Sequence, residues 1–330
     1  MSAEDRYFAA SLGQVSYGIE GTKYSKAGTL DNYFGLLTED IEPPNPNPHT
    51  AKATGGKRRG PYVNSPDAKE YELEVPFEVL DHNAPFELAL GERTTTAKDP
   101  DDDSTDEYNE HLITEADKLP TATIQHQQTD ADLQAWYIGG KANLELTAQQ
   151  GEALSGSMSF MFPKMDFDDG VTSGYTELSI PEISPYRFWM KGDVELTDPA
   201  DDSTVKTLAT VSGFSSSWDN GLEVNHHGDG RDGYSVKETT AAEKYDHSLT
   251  VTIVDTDLYR RAANNEASVD IEIPFYRDPS ATDHYDALIV RLLDCDIVDA
   301  PMPNPSEGDL EAEIAVQPTN TEIEIREPLV

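Results

Sequence analysis

The sequence is poor in cysteine and in positive charge. Its 330 residues include one cysteine, Cys295, and 24 lysine and arginine residues against 63 aspartate and glutamate residues, for a formal net charge of −39. A single cysteine excludes an intrachain disulfide and a zinc site built from cysteines. Gripping nucleic-acid phosphates needs clustered cations, and the field of this chain repels polyanions. The composition therefore excludes a typical nucleic-acid-reading protein, and Cys295 is predicted to be a small core residue.

Long apolar runs are also missing. The apolar residues 287–290 are stopped by Arg291, far short of the roughly 20 residues that a membrane-spanning helix needs. Residues 1–6 lack the basic region and following apolar stretch that are typical of a signal peptide. We therefore expect no membrane span and a protein that is made and assembled in the cytoplasm.

The acidic excess replaces positive charge rather than adding to it. Charged residues make up 26% of the chain, close to the average of about 25%. Molar salt shortens the Debye length to about 3 Å and would screen the self-repulsion of such a chain. Disorder is the competing interpretation of low hydrophobicity with high net charge. Regular apolar patterning argues against disorder, so we interpret the composition as the surface of a folded halophilic protein.

Alternation of apolar and polar residues is the dominant pattern. Because successive side chains of a strand point to opposite faces, such segments are predicted to be half-buried antiparallel strands. Helix signals are confined to 86–90, which Gly91 closes, and to 255–263. The predicted fold class is mainly β, an antiparallel β-sandwich or barrel with one or two short flanking helices. The alternating segments are 71–75, 144–146, 157–162, 249–253, 269–275 and 323–325.

Segments rich in proline, glycine or acid divide the chain. Residues 43–48 and 55–61 are predicted to lack regular structure, because proline removes donors and glycine removes restraint. Residues 99–107 form an acidic excursion. The predicted organisation is N-terminal strands in 1–42, an extended inter-subunit arm in 43–70, a core in 71–300 with an acidic insertion at about 97–118, and a linker with C-terminal strands in 301–330.

The arm differs in charge from the rest of the chain. Residues 1–70 hold eight basic and nine acidic side chains, a net charge of −1, so almost all of the negative charge lies beyond them. A near-neutral N-terminal segment that contains this arm, on an otherwise acidic protein, suggests contact with an acidic protein surface, and another copy of this chain offers one. Lys52, Lys57, Arg58 and Arg59 are the predicted inter-subunit contact residues.

The sequence motifs that would indicate ligand binding or catalysis are incomplete in this chain. Lys57 follows two glycines, but a phosphate-binding loop would also need a glycine at Ala51 and a serine or threonine at Arg58. His226, His227 and Asp229 lie in a glycine-rich segment that is either a solvated turn or a weak cation site, and the acidic residues 101–103 carry the same two alternatives. We expect no catalytic, cofactor-binding or resident metal site and no enzyme, with monovalent or divalent cations at most weakly bound to acidic loops.

Aromatic residues offer a further alternative. Trp136, Tyr137, Trp189 and Trp218 are either core residues or a platform for binding sugars. Aromatic side chains within strands are more often part of the core.

The order of segments along the chain resembles that of the major tail tube proteins of tailed viruses. The similarity covers most of the chain and rests on order and spacing, because no single motif is diagnostic. The segments that carry it are 6–24, the proline-rich loop with 56–58, 71–79, 86–91, 136–148, 151–160, 211–214 and 219–223.

This resemblance implies a virion tail protein. Family members would form a β-sandwich with a short helix, assemble into hexameric rings whose strands line a lumen, and stack into a tube, with a long N-terminal loop reaching a neighbour. Implied partners are a tape measure protein in the lumen, neck, tail completion and distal tail proteins, and double-stranded DNA in transient passage. With the acidic composition, the expected source is a siphovirus-like virus of a halophilic archaeon.

Two other functions compete with a tube subunit. A distal tail or baseplate ring protein would share the sandwich but form one ring. A halophilic carbohydrate-binding sandwich at the cell surface would normally carry a signal peptide. A negatively charged lumen favours the tube, because polyanionic DNA would slide through it without sticking.

Overall fold

The structure is a computed structural model, and the predicted fold class is confirmed, since strands dominate. It describes residues 13–39, 41, 49–51, 63–65, 71–99, 107–128, 133–168, 178–188, 194–198, 201–208, 211–227, 233–237, 245–252, 268–278, 285–299 and 311–329. The elements of these residues, in chain order, are β1 (Gly13–Ile19), β2 (Leu36–Leu37), β3 (His49–Ala51), β4 (Val63–Ser65), β5 (Tyr71–Glu78), α1 (Glu87–Leu90), β6 (Gly91–Lys98), β7 (Tyr108–Glu115), β8 (Ala122–Gln128), β9 (Leu133–Gln149), β10 (Ser155–Phe162), β11 (Lys164–Asp168), β12 (Val194–Asp198), β13 (Asp201–Leu208), β14 (Val211–Trp218), β15 (Glu223–His227), β16 (Gly233–Lys237), β17 (Tyr245–Thr252), β18 (Val269–Tyr276), β19 (Ala287–Asp299), β20 (Glu311–Gln317) and β21 (Asn320–Pro328).

Within the described residues, 17 strands form one antiparallel hydrogen-bonded network. Section 1 has the strand order β1-β8-β9-β11. Section 2 has the order β2-β5-β10-β9-β14-β17-β20-β19. Section 3 has the order β13-β12-β18-β19-β21-β7-β6. The long strands β9 and β19 each belong to two sections, so the sections share backbone as well as a core.

Strand β9 changes section at two adjacent glycines. Residues before Gly139 pair with β8 and β11, and residues from Lys141 onward pair with β10. Gly139 has a φ of +80°, and a Cβ there would lie 2.5 Å from Cδ1 of Tyr24. A Cβ on Gly140 would lie 2.1 Å from Cε1 of Phe162. Only glycine fits the bend, because a side chain would meet one of these two rings.

The core follows the predicted alternation. In β5, Leu73 and Val75 are buried while Glu72 and Glu74 are exposed, and in β10 Met158 and Phe160 are buried. Each large apolar side chain removed from water contributes about 1.5–3 kcal/mol. Alternating segments of the sequence therefore become strands with one face in a shared core.

Aromatic residues join the sections across this core. The indole N–H of Trp218 in section 2 donates to the hydroxyl of Thr321 in section 3 at 2.9 Å, and the rings of Phe214 and Phe275 lie 5.7 Å apart. Trp136 and Tyr137 are also buried. The core interpretation of these aromatic residues is confirmed, while Trp189 lies outside the described residues.

Cys295 is fully buried, as predicted. Burial, together with the nearby carboxylates of Asp270, Asp294 and Asp296, raises the pKa of its thiol. A thiolate is therefore strongly disfavoured, and this cysteine is a core residue rather than a nucleophile.

The remaining sequence predictions concern two helices, an irregular segment and an insertion. The helix predicted at 86–90 forms as α1, whereas 255–263 lies outside the described residues. The segment between the two proline- and glycine-rich stretches contains a strand, because β3 pairs with β4. The range 97–118 includes β7, which lies between β6 and β21 in section 3.

Glu324 departs from the predicted alternation. It follows Ile323 on β21 and would face water by period two, yet it is 2% exposed. Its two carboxylate oxygens lie 2.5 Å from a guanidinium nitrogen of Arg291 and of Arg326. Pairing with two cations makes burial of this carboxylate tolerable, since an unpaired buried charge is costly.

Candidate functional site

Section 1 ends in strands with few or no partners on their outer edges among the described residues. There β11 pairs with no strand other than β9, whereas β1 pairs with β8 along its length and with Asn32 by a single bridge at Tyr17. An open edge presents unpaired backbone donors and acceptors, which another chain can pair with. The two ends of section 1 are therefore candidate contact surfaces for a second molecule.

An apolar side chain marks the β11 end. Phe167 on β11 is 61% exposed, although aromatic side chains are usually buried. The register places it opposite Ala135, followed by His126 and then Val15 on β1, so one row crosses the section from edge to edge. Val15 is buried at the far end of this row. A neighbouring strand on β11 would cover Phe167 and extend the row.

Section 2 also ends in exposed apolar residues. Leu36 and Leu37 form β2 at one end, and both are exposed. Val298, in the part of β19 that pairs with β20 at the other end, is 62% exposed. Section 3 differs, because its edge strand β6 carries the exposed threonines 94–96 and Lys98, which pairs with Glu110 at 3.1 Å. Polar and lysine-bearing edges resist pairing, so the apolar ends of sections 1 and 2 are the better candidates.

The predicted basic contact residues fall in the sequence between two strands that pair with each other. β3 and β4 pair in antiparallel register with Ala51 opposite Val63. Lys52, Lys57, Arg58 and Arg59 fall in the chain between these strands and lie outside the described residues. Their contact with a neighbouring subunit stays a prediction.

The glycine-rich segment with two histidines forms part of another hairpin. His226 and His227 end β15, and His227 lies opposite Gly233 of β16. Asp229 is outside the described residues. The choice between a turn and a weak cation site stays open for this segment.

A cluster of three side chains that the sequence did not indicate lies beside section 3. His82 follows β5, His111 lies on β7, and Glu327 lies on β21. One carboxylate oxygen of Glu327 is 3.2 Å from Nδ1 of His82, and the other is 3.3 Å from Nε2 of His111. The two imidazole rings stack with centroids 4.6 Å apart. Positions 82, 111 and 327 carry no metal-site spacing in the sequence. The pairing of β21 with β7 brings His111 and Glu327 together, and the turn after β5 adds His82.

His111 is the most enclosed member of this cluster. Burial lowers the pKa of His111, and the hydrogen bond with Glu327 offsets this in part. Its Nδ1 lies 3.0 Å from the hydroxyl oxygen of Thr95 on β6, which orients the ring. The neutral imidazole is therefore the favoured form at this position.

Several other charged side chains are held in ion pairs. Arg93 contacts Glu87 on α1 and also donates to the carbonyl oxygen of Ala84 at 2.5 Å. Burial raises the pKa of Glu87, although Arg93 opposes the shift. Arg277 forms an ion pair with Asp286. These pairs connect neighbouring elements and give the charges that they hold a structural role.

Family membership follows from comparison with known proteins. A family model described as a phage tail tube protein matches residues 10–318, nearly the whole chain. This chain belongs to the phage tail tube protein family. The tail tube protein is thus a structural component of the virion tail, and the resemblance found in the order of its segments is confirmed at the level of the family. No curated protein matches it.

Family membership bears on the edges of sections 1 and 2. Tail tube proteins self-assemble and associate with other tail proteins. The open ends of sections 1 and 2 of this tail tube protein are suited to such contacts. The described residues contain no helix long and apolar enough to cross a membrane.

Proposed function

We propose that this tail tube protein forms hexameric rings that stack into a tube, whose negatively charged lumen conducts viral double-stranded DNA during ejection into the host. The observation that carries the proposal is Phe167, exposed on the open edge strand β11. An exposed aromatic residue beside unpaired backbone groups is suited to edge-to-edge contact between copies.

The strand order of section 1 supports ring closure. Its four strands are antiparallel, so the edge strands β1 and β11 run in opposite directions. Pairing of β11 in one copy with the part of β1 before Tyr17 in the next would continue the antiparallel ladder, since Tyr17 itself is bridged to Asn32. Such a contact joins two different surfaces and closes into a ring when the rotation per subunit allows it. Six copies would give a wall of about 24 strands, wider than the 16–18-stranded barrels that already enclose water.

The net negative charge of the chain supports the proposed passage of DNA through the tube. The chain carries 63 acidic against 24 basic residues, so a lumen formed by it would repel phosphates rather than bind them. The same composition supports a siphovirus-like virus of a halophilic archaeon as the source, because molar salt screens this repulsion in the folded and assembled protein. The proposed partners are the tape measure protein inside the lumen and the neck, tail completion and distal tail proteins at its ends.

The test is electron microscopy and sedimentation of Phe167→Asp in molar salt. We expect the wild-type protein to form long tubes with six-fold end views, and Phe167→Asp to remain as soluble subunits with the circular dichroism of the wild type. Ile183→Asp is the matched control, because Ile183 is exposed but lies outside every described strand, and its tubes should persist. Full-length tubes from Phe167→Asp would overturn edge closure through β11.

The same images separate the alternatives. Single rings that never stack would indicate a distal tail or baseplate ring protein. A carbohydrate-binding sandwich would remain monomeric, and burial of Trp136, Tyr137 and Trp218 already removes most of the aromatic platform that it would use.

A further inference from the structure

Three elements that are distant in sequence meet at the cluster of His82, His111 and Glu327. The turn after β5, strand β7 and the last described strand β21 each contribute one side chain, and the ligand atoms of all three lie within 4.8 Å of one another. Two imidazole nitrogens and a carboxylate are a donor set that suits zinc and related divalent transition metals.

The surroundings of His111 resemble those of a metal ligand. A metal-binding imidazole usually donates its other N–H to a nearby oxygen, which holds the ring in place. In this protein the Thr95 hydroxyl lies 3.0 Å from Nδ1 of His111. When Nδ1–H donates to that hydroxyl, Nε2 directs a lone pair toward Glu327, and a cation between the two would stabilise both.

We propose that His82, His111 and Glu327 bind one divalent transition-metal ion, with Zn²⁺ as the probe, and that the ion fastens β21 to β7 and to the turn after β5. The site goes beyond tube formation and does not depend on it. Selectivity over Mg²⁺ and Ca²⁺ comes from the imidazoles, because those ions take oxygen ligands.

Binding requires one movement. The imidazole planes of His82 and His111 are 9° from parallel, so one ion cannot lie in both ring planes at once. The buried ring of His111 is held by Thr95, whereas the His82 side chain is 28% exposed and free of a second ring-nitrogen contact among the described hydrogen bonds. His82 is therefore the ring that turns, and Glu327, which is also partly exposed, leaves the ion a path from solvent.

The experiment is a calorimetric titration of the full chain with Zn²⁺ in excess Mg²⁺, which occupies the oxygen-only sites of this acidic surface. We expect one Zn²⁺ per chain and at least tenfold weaker binding in His82→Gln and in Glu327→Gln. His126→Gln is the control, because it also removes one partly buried histidine but lies on β8 in section 1. Its affinity should equal that of the wild type.

A second measurement guards against variants that do not fold. Zn²⁺ should raise the thermal unfolding temperature of the wild type and of His126→Gln, and should leave that of His82→Gln unchanged. His82 is partly exposed, so its replacement disrupts the fold less than replacement of the buried His111 would. Absence of binding at a 1:1 ratio in the wild type, or equal affinity in the wild type and His82→Gln, would overturn the site.

Discussion

The carboxylate of Glu20 accepts a hydrogen bond of 2.7 Å from the backbone N–H of Gly139, at the bend where β9 passes from section 1 to section 2. The same side chain accepts a hydrogen bond from the backbone N–H of Tyr24 at 2.7 Å and another from the hydroxyl of Thr123 at 2.8 Å. One buried carboxylate thus holds the turn after β1, strand β8 and the bend of β9 together.

Loss of this carboxylate should destabilise the subunit. Glu20→Ala leaves buried donors without an acceptor, and we expect the free energy of unfolding to fall by about 1.5–3 kcal/mol or more, the range for hydrogen bonds to a charged group. Glu72→Ala on the exposed face of β5 should change it by less than about 0.5 kcal/mol. Denaturant unfolding in molar salt measures both, and equal effects would show that Glu20 has no special role.

The bend itself should tolerate only glycine. Gly139→Ala combines a positive φ with a Cβ 2.5 Å from Tyr24. We therefore expect the free energy of unfolding to fall by about 2–4 kcal/mol. Gly151→Ala has a φ of +79° but open space around the Cβ, which predicts a smaller loss of about 1–2 kcal/mol from backbone strain alone. Unfolding curves of the two variants test this order. A Gly139→Ala protein as stable as Gly151→Ala would contradict the contact with Tyr24.

Acid should remove the contribution of Glu324. Burial by itself raises the pKa of this carboxyl, but Arg291 and Arg326 outweigh burial, and the net pKa is lowered from its ordinary 4.5. A lowered pKa in the folded protein means that the stabilisation is complete above about pH 4.5 and is lost as the pH falls through the folded value.

Replacement of Glu324 should show this dependence. Glu324→Gln leaves two arginines without their shared anion, so at pH 7 we expect the free energy of unfolding to fall by about 3–5 kcal/mol. Below pH 4.5 the difference in free energy of unfolding between the variant and the wild type should narrow. Denaturant unfolding at constant salt from pH 7 to pH 3 is the measurement, and a gap that stays constant with pH would contradict the assignment.

Deletion of the basic arm should impair tube formation more than reversal of its charges. β3 and β4 pair only with each other among the described strands, so deletion of 43–66 removes no strand of sections 1 to 3. An exposed ion pair is worth about 0–1 kcal/mol, and molar salt weakens it further. We expect deletion to shorten tubes more than the triple change Lys57→Glu, Arg58→Glu and Arg59→Glu. Tube length by electron microscopy decides this, and full-length tubes from the deletion variant would show that the arm is not a contact.

Salt should control folding and assembly. A net charge of −39 disfavours compaction unless ions screen it. We expect cooperative unfolding and tube formation in molar KCl, with loss of structure or dissociation in dilute buffer. Circular dichroism and sedimentation across a salt series measure the two effects. Equal stability in dilute buffer would remove the argument for a halophilic source.

Much of the fold could be predicted from the sequence alone. The β class, the buried faces of β5, β10 and β18, the short helix α1 and the core positions of Cys295 and Trp218 all follow from local patterns. Alternation is a property of each strand by itself, because the backbone geometry sends successive side chains to opposite faces. The order of such segments was also sufficient to indicate the family.

Tertiary structure decided everything that depends on which strands become neighbours. Glu324 was predicted to face water, and it is buried because β19 brings Arg291 beside it. His111 and Glu327 meet because β21 pairs with β7 across more than 200 residues of chain, and the turn after β5 places His82 beside them. Phe167 is exposed on β11, which pairs with no strand other than β9 among the described residues. Local alternation sets which face of a strand is apolar, but the partner across each edge is chosen by packing of the whole chain. That choice placed the candidate contact surface and the candidate metal site.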